Sequence, residues 1–209
     1  MSFVIQNISF SRPENKIINK LTFNLFPGQT LRIQGANGSG KSTLLKILAG
    51  LLSPDTGSIR WSGKEIMTQR AVYYENMSYL AYHCALKKYL TPLENITYAY
   101  HLASEGSENN NKKNMQEDIG KLFDLFDLSA HQHAPCHTLS AGQRRKVALI
   151  SLMTQQKKLW LLDEPFTALD PDSIATCHAL IAQQRERGGM IVIASHISLP
   201  AIDQEITLC

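Results

Sequence analysis

The residues Gly35-Ala36-Asn37-Gly38-Ser39-Gly40-Lys41-Ser42 fit the spacing G-x-x-x-x-G-K-[ST], which suits a loop that wraps phosphates. Glycine at 35, 38 and 40 permits positive φ, so successive backbone N–H groups can converge on one concavity. A helix beginning near Lys41, with Ser42 and Thr43 in its first turn, would add the positive end of its dipole to the same spot. Lys41 offers a charge to the β- and γ-phosphates, and the Ser42 hydroxyl offers an oxygen to Mg²⁺. A plain glycine-rich turn is the competing reading. Context weakens it, because Thr30–Gln34 reads as a strand just before the loop and Thr43–Ala49 as an apolar helix just after it. Residues Gly35 to Thr43 are therefore expected to bind a nucleoside triphosphate.

A second acidic pair bears on the fate of that nucleotide. Lys158-Leu-Trp-Leu-Leu162 is a short apolar run of the buried, parallel-sheet type and ends in Asp163-Glu164. Carboxylates at the carboxyl end of a parallel strand sit on the rim where open α/β sheets bind ligands. Asp163 there would hold Mg²⁺ together with Ser42, mostly through water. Glu164, one residue further, is placed to face a water attacking the γ-phosphate. The alternative is a solvent-exposed acidic pair after a core strand.

Between these motifs lies Leu139-Ser140-Ala141-Gly142-Gln143, followed by Arg144-Arg145-Lys146-Val-Ala-Leu-Ile. Ser140 as N-cap and Gln143 at the third helical position form the pattern of a capping box, opening a helix whose N–H groups can receive an anion. The run resembles the LSGGQ signature of ATP-binding-cassette (ABC) ATPases. That resemblance implies a P-loop NTPase cassette of α/β class, with a mainly parallel β core, an antiparallel β subdomain and an inserted α-helical subdomain. It also implies ATP and Mg²⁺ as ligands, and two copies facing head to tail, so that residues Leu139–Gln143 of one complete the nucleotide site of the other. Asp163-Glu-Pro-Phe-Thr-Ala-Leu-Asp170 resembles the Walker B and D-loop run of the family, with Asp170 at the dimer seam. His196, after the apolar strand Met190–Ser195, matches the switch histidine that contacts the γ-phosphate. Two positions depart from the family pattern. Where many cassettes carry an aromatic residue for adenine, this chain has Arg12, whose planar guanidinium can also stack, with Phe10 as the other candidate. The Q-loop glutamine position is occupied by His83, and imidazole is a poor ligand for a hard cation.

The short chain beyond His196, the strand Gly57–Trp61, the runs Gln143–Ile150 and Asp163–Asp170, and Gly188–Ile193 narrow the resemblance. They are similar to the ATPase subunits of the bacterial cytochrome c maturation system. A subunit of that kind is peripheral on the cytoplasmic side of the inner membrane and docks on permease subunits of CcmB and CcmC type. Its hydrolysis drives haem handling or export and releases the haem-loaded chaperone CcmE. The competing classes are another small ABC exporter, a soluble ABC ATPase that acts on ribosomes or DNA, and a P-loop kinase. The soluble kind usually carries two cassettes or a long coiled-coil insertion. A kinase has no use for a signature helix or a D-loop.

The elements that must position these residues follow from periodicity. Residues 1–90 read largely as strands and turns, with strands over Phe3–Phe10, Leu21–Leu25 and around Ile59–Trp61, and a turn at Pro27-Gly28. From Thr91 the spacing turns helical, with Leu93, Ile96 and Tyr100 on one face, then Ile119, Leu122, Phe123 and Phe126. Ser104–Asn114 reads as a mobile polar loop between those helices. One cassette over 1–209 results, with a nucleotide-binding core at 1–90 and 156–209 and a helical signature subdomain at 91–150. The net charge of +3 comes with scattered lysines and arginines, so nucleic acid is not an expected partner. No apolar run reaches the roughly 18 residues of a membrane span, and the start lacks the charged and apolar regions of a signal peptide. Cys84, Cys136, Cys177 and Cys209 are widely spaced and read as reduced thiols. His131, His133, Cys136 and His137 could in principle ligate a metal, although the stretch is also a plain linker into the signature.

Overall fold

The computed structural model describes residues 1–13, 15–104 and 112–208. The chain divides into two compact units: Met1–Tyr82, Lys157–Glu164 and Ile181–Cys209 form the first, His83–Gln156 and Pro165–Leu180 the second. In chain order the first elements are β1 (Phe3–Arg12), β2 (Asn15–Leu25), β3 (Thr30–Gly35), α1 (Lys41–Leu48), β4 (Thr56–Trp61), β5 (Lys64–Glu65), α2 (Arg70–Asn76) and β6 (Met77–Leu80). Helices α3 (Pro92–Ser104), α4 (Lys112–Leu125) and α5 (Ala141–Thr154) follow, then β7 (Leu159–Asp163), α6 (Pro171–Glu186), β8 (Met190–Ala194) and β9 (Gln204–Leu208).

Two sheets make up the first unit. One is antiparallel, in the order β2-β1-β4-β5, and the other is parallel, in the order β6-β7-β8-β3-β9. Alternation in β2 sends Phe23 and Leu25 inward, and Ile18 is buried beyond a register shift, whereas every residue of β7 and β8 is buried, as apolar parallel strands require. Helix α1 packs on this parallel sheet, with Leu44, Leu45, Ile47 and Leu48 fully buried. Each such side chain contributes about 1.5–3 kcal/mol. The turn at Pro27-Gly28 closes through Gln29 N–H donating to the Phe26 carbonyl, at 3.1 Å.

Register fixes the rim. Ala194 pairs with Asp163 on one side and with Ile33 on the other, so β7 and β8 end level while β3 continues beside β9 to Gly35. The phosphate loop, Glu164 and His196 therefore all leave the sheet at its carboxyl edge.

Helix α2, β6 and β9 are absent from the sequence-based expectation. Arg70-Ala-Val-Tyr-Tyr-Glu-Asn carries a β-branched residue and two aromatics, whose local preference is weakly helical at best. Tertiary packing decides the matter. Tyr73 is buried, lies against Phe3 with ring centroids 6.1 Å apart, and donates its hydroxyl to the Leu48 carbonyl at 2.7 Å.

In the second unit α3 and α4 both pack on α5, burying Ile96, Ile119, Phe123, Val147 and Ile150. Thr91 and Glu94 cap α3 reciprocally: Thr91 N–H donates to Glu94 Oε2 at 2.8 Å, and Glu94 N–H donates to Thr91 Oγ1 at 3.2 Å. Both ends of the expected loop at Ser104–Asn114 are helical. Ser104 closes α3, and Lys112–Asn114 already belong to α4, since lysine is a good helix former. Residues 105–111 of that loop lie outside the described residues, as does Cys209. Among the described residues no helix is long and apolar enough to cross a membrane.

Candidate functional site

Strand β3 delivers Gly35 at φ +146°, where an added Cβ would lie 2.4 Å from Ser39 Oγ and 2.5 Å from the Leu208 carbonyl. Only glycine lets the chain curl this tightly against β9. Ala36, Asn37 and Gly38 are exposed, and Ser39 N–H closes the loop on the Ala36 carbonyl at 3.2 Å. Gly40, at φ +100°, precedes α1, whose first turn has no side-chain cap. Lys41 is folded over the loop, its Nζ donating to the carbonyls of Gly35 at 2.7 Å and Ala36 at 3.0 Å. Thr43 is buried and Ser42 half-buried, and the buried Ser39 hydroxyl has no hydrogen-bond partner among the described residues. An uncapped helix N-terminus, a lysine held on the loop and an unpartnered hydroxyl make a cradle that fits a polyphosphate.

At the same edge, Asp163 ends β7 only 2% exposed, and buried carboxylates persist when paired or bound to a cation. Its hard oxygens and the Ser42 hydroxyl are a donor set suited to Mg²⁺. Glu164 follows at φ +46°, and its N–H extends the ladder by donating to the Ala194 carbonyl at 2.8 Å. This turns its side chain towards His196, in the segment that follows β8. The His196 N–H donates to Glu164 Oε2 at 3.4 Å, and His196 Nε2 lies 3.4 Å from Oε1. These contacts are long for hydrogen bonds. His196 is more than half exposed and Glu164 mostly buried, so the pair opens outward from the sheet.

The signature residues lie in the second unit. Ser140 caps α5 with the reciprocal bonds of a capping box: Gln143 N–H donates to Ser140 Oγ at 3.1 Å, and Ser140 N–H donates to Gln143 Oε1 at 2.8 Å. Leu139 is buried while Ser140 and Ala141 are exposed. Gly142 sits against the D-loop, where a Cβ would lie 2.5 Å from the Ala168 carbonyl. Asp170 accepts the Ser173 N–H at 2.8 Å and pairs with Lys146 at 2.8 Å. The Lys146 ammonium, and after it the Ser173 amide and hydroxyl, hold its carboxyl well below the usual range.

Arg12 is exposed at the end of β1, while Phe10 packs against the core of the first unit. His83 is exposed and opens the second unit. Among the described residues no group of three or more His, Cys, Asp or Glu side chains is gathered to hold a metal ion. Cys136 is buried and accepts from Asn95 Nδ2 at 3.3 Å, and the His137 ring packs on Tyr89 with centroids 5.7 Å apart. Cys84, Cys136 and Cys177 are free thiols, and burial pushes Cys177 up to about 12.

Residues 18–167 match the family model described as ABC transporter. The chain belongs to the ABC transporter family. It is an ATP-hydrolysing cassette. Over 197 residues it is 39% identical to the "Cytochrome c biogenesis ATP-binding export protein CcmA" of Dechloromonas aromatica, covering 93% of each chain. The protein of the same name from Haemophilus influenzae is 36% identical over 94% of this chain and 90% of its own. A solved ATP-binding subunit of an ABC transporter superposes on the whole chain and on 86% of its own length, with a TM-score of 0.87 at 24% identity, and so shares the fold.

Within this ABC cassette, sequence reasoning missed the residues that brace the motifs. Arg145 is 3% exposed and donates through Nε to the Pro165 carbonyl at 3.2 Å. Asn95 ties down the segment before α3, with Oδ1 accepting the Lys87 N–H at 2.8 Å and Nδ2 donating to the Thr91 carbonyl at 3.0 Å. The available signal was a charged or amide side chain set among apolar neighbours, which must find a partner once buried.

Proposed function

We propose that this chain is the ATP-hydrolysing subunit of an ABC transporter complex for c-type cytochrome biogenesis. It is peripheral on the cytoplasmic side of the bacterial inner membrane and docks on permease subunits of CcmB and CcmC type. It couples hydrolysis to haem handling or export and to release of haem-loaded CcmE. Similarity to CcmA proteins over more than nine-tenths of the chain supports the pathway. The observation that carries the hydrolytic reading is the Glu164–His196 pair at the level edge of β7 and β8, directly after buried Asp163.

In this reading Lys41 and the N–H groups opening α1 hold the β- and γ-phosphates, with Gly35 to Thr43 as the cradle. The Ser42 hydroxyl and Asp163 hold Mg²⁺, which when bound neutralises charge on the phosphate oxygens. Glu164 orients the attacking water and accepts its proton, and His196 meets the γ-phosphate. Arg12 stacks on adenine, the packed Phe10 being less free to do so. Leu139–Gln143 of a second copy bring the N-terminus of α5 to the same nucleotide, and Asp170 lies at that seam. His83 faces the permease and hydrogen-bonds there or to a water.

The test is genetic complementation in a bacterium lacking its own maturation ATPase. The parental chain should restore covalent haem attachment to a c-type cytochrome and Lys41→Ala should not. Active ATPase without restored cytochrome would assign the chain to another transporter.

A further inference from the structure

Arg32 is a charged residue inside the apolar strand Thr30-Leu-Arg-Ile33, where Leu31 and Ile33 are fully buried. Its side chain is 13% exposed. Nε and Nη2 both donate to the Ser195 carbonyl, at 3.4 and 3.3 Å. Nη1 lies 3.7 Å from Oε2 of Glu205, its register partner on β9, and that carboxylate also accepts from Gln34 Nε2. The guanidinium is therefore held from behind by β9 and aimed at a backbone carbonyl just past the end of β8.

That carbonyl belongs to the peptide group whose N–H is His196's, and the His196 N–H donates to Glu164 Oε2 at 3.4 Å. One planar unit thus has its oxygen held by a cation and its N–H directed at the carboxylate. Because the peptide is rigid, fixing the carbonyl fixes the direction of the N–H. A cation on the carbonyl also polarises the amide and strengthens it as a donor. On the far side the Ser195 hydroxyl accepts the Ile197 N–H at 3.0 Å, so the chain is restrained on both sides of His196.

We propose that Arg32 is a positioning residue for ATP hydrolysis, acting through the Ser195–His196 peptide to fix Glu164 and His196 against each other. This rests on the reading of Glu164 as the group that orients water. The competing role is purely structural, with Arg32 only fastening β9 to β3 through Glu205. The two roles differ in which kinetic constant changes and in how losses combine.

The experiment measures steady-state ATPase, nucleotide binding and thermal midpoint for Arg32→Met, Arg32→Lys and Glu205→Gln, each alone and with Glu164→Gln. Arg32→Met should lower kcat by about 10- to 100-fold, the cost of a misplaced catalytic group, with KM within about twofold of the parent. Arg32→Lys, which keeps a charge near the Ser195 carbonyl, should recover most of that loss. On Glu164→Gln, Arg32→Met should cost less than about twofold more, because both act through one group. Losses that multiply, or a raised KM at parental kcat, overturn the positioning role. Should Arg32→Met not fold, Glu205→Gln decides the question. A drop of about two- to fivefold in kcat alone, absent on Glu164→Gln, supports the proposal, and an unchanged kcat sinks it. If Glu164→Gln itself turns over at the parental rate, the hydrolytic reading fails instead.

Discussion

Glu164 holds a left-handed backbone, φ +46°, that costs a non-glycine residue about 1–3 kcal/mol. The N–H bond to Ala194 helps to hold it there, and the outcome is a side chain turned to His196 rather than continued along β7. Glu164→Gln should retain ATP binding while slowing turnover by about 10²–10⁴-fold, the usual contribution of a general base. Radiolabelled ATP retention and phosphate release measure the two effects separately. Parental turnover in this variant would move the role elsewhere. Adjacency to Asp163 made Glu164 legible in the sequence, but its left-handed conformation was not, because that follows from the ladder with β8.

Among the elements, α5 is read locally at its start and tertiarily along its length. Its capping box spans three residues and was evident from Ser140 and Gln143 alone. Its tie to the D-loop depends on Lys146 and Asp170, which the fold brings to 2.8 Å. Asp170 has its carboxyl lowered, first by Lys146, so the contribution is present above the unfolded value of about 3.9 and is lost as pH falls through and below it. Asp170→Asn should be less stable than the parent near neutrality. With the side chain half exposed, screening limits the difference to about 1 kcal/mol or less. Urea unfolding across the acid range should show the gap closing below about pH 4. A gap independent of pH would exclude the ionised pair with Lys146 as its cause, and no gap at all would assign the stabilisation to the N-cap bond, which asparagine preserves.

At the scale of the molecule, the phosphate loop belongs to one compact unit and the signature to the other. Gly35–Ser42 and Leu139–Gln143 each present a helix N-terminus, and the proposed head-to-tail pair sets one of each on every nucleotide. Lys41→Ala and Ser140→Arg should each be nearly inactive alone, the first for want of phosphate binding and the second because a bulky cation replaces the cap. Mixed, they should regain activity, since one composite site in the heterodimer is intact. Mass spectrometry verifies that heterodimers form. Their formation without any gain in ATPase activity would rule out the shared site.

The sequence by itself determined what lies within a few residues along the chain. It gave away the glycines and lysine of the phosphate loop, the acidic end of β7, the capping box of α5 and the alternation of β2, because φ preferences, caps and periodicities are short-range. Only the tertiary structure decided which strands became neighbours. The order β6-β7-β8-β3-β9 sets Ile33, Asp163 and Ala194 level, although they are distant in the chain. The same pairing brings Arg32 to the Ser195 carbonyl across a separation of 163 residues, and helix packing brings Tyr73, on a helix whose local preferences are weak, to the Leu48 carbonyl. Parallel pairing leaves no turn to announce its register, so burial of the apolar strands selects it and no local spacing encodes it.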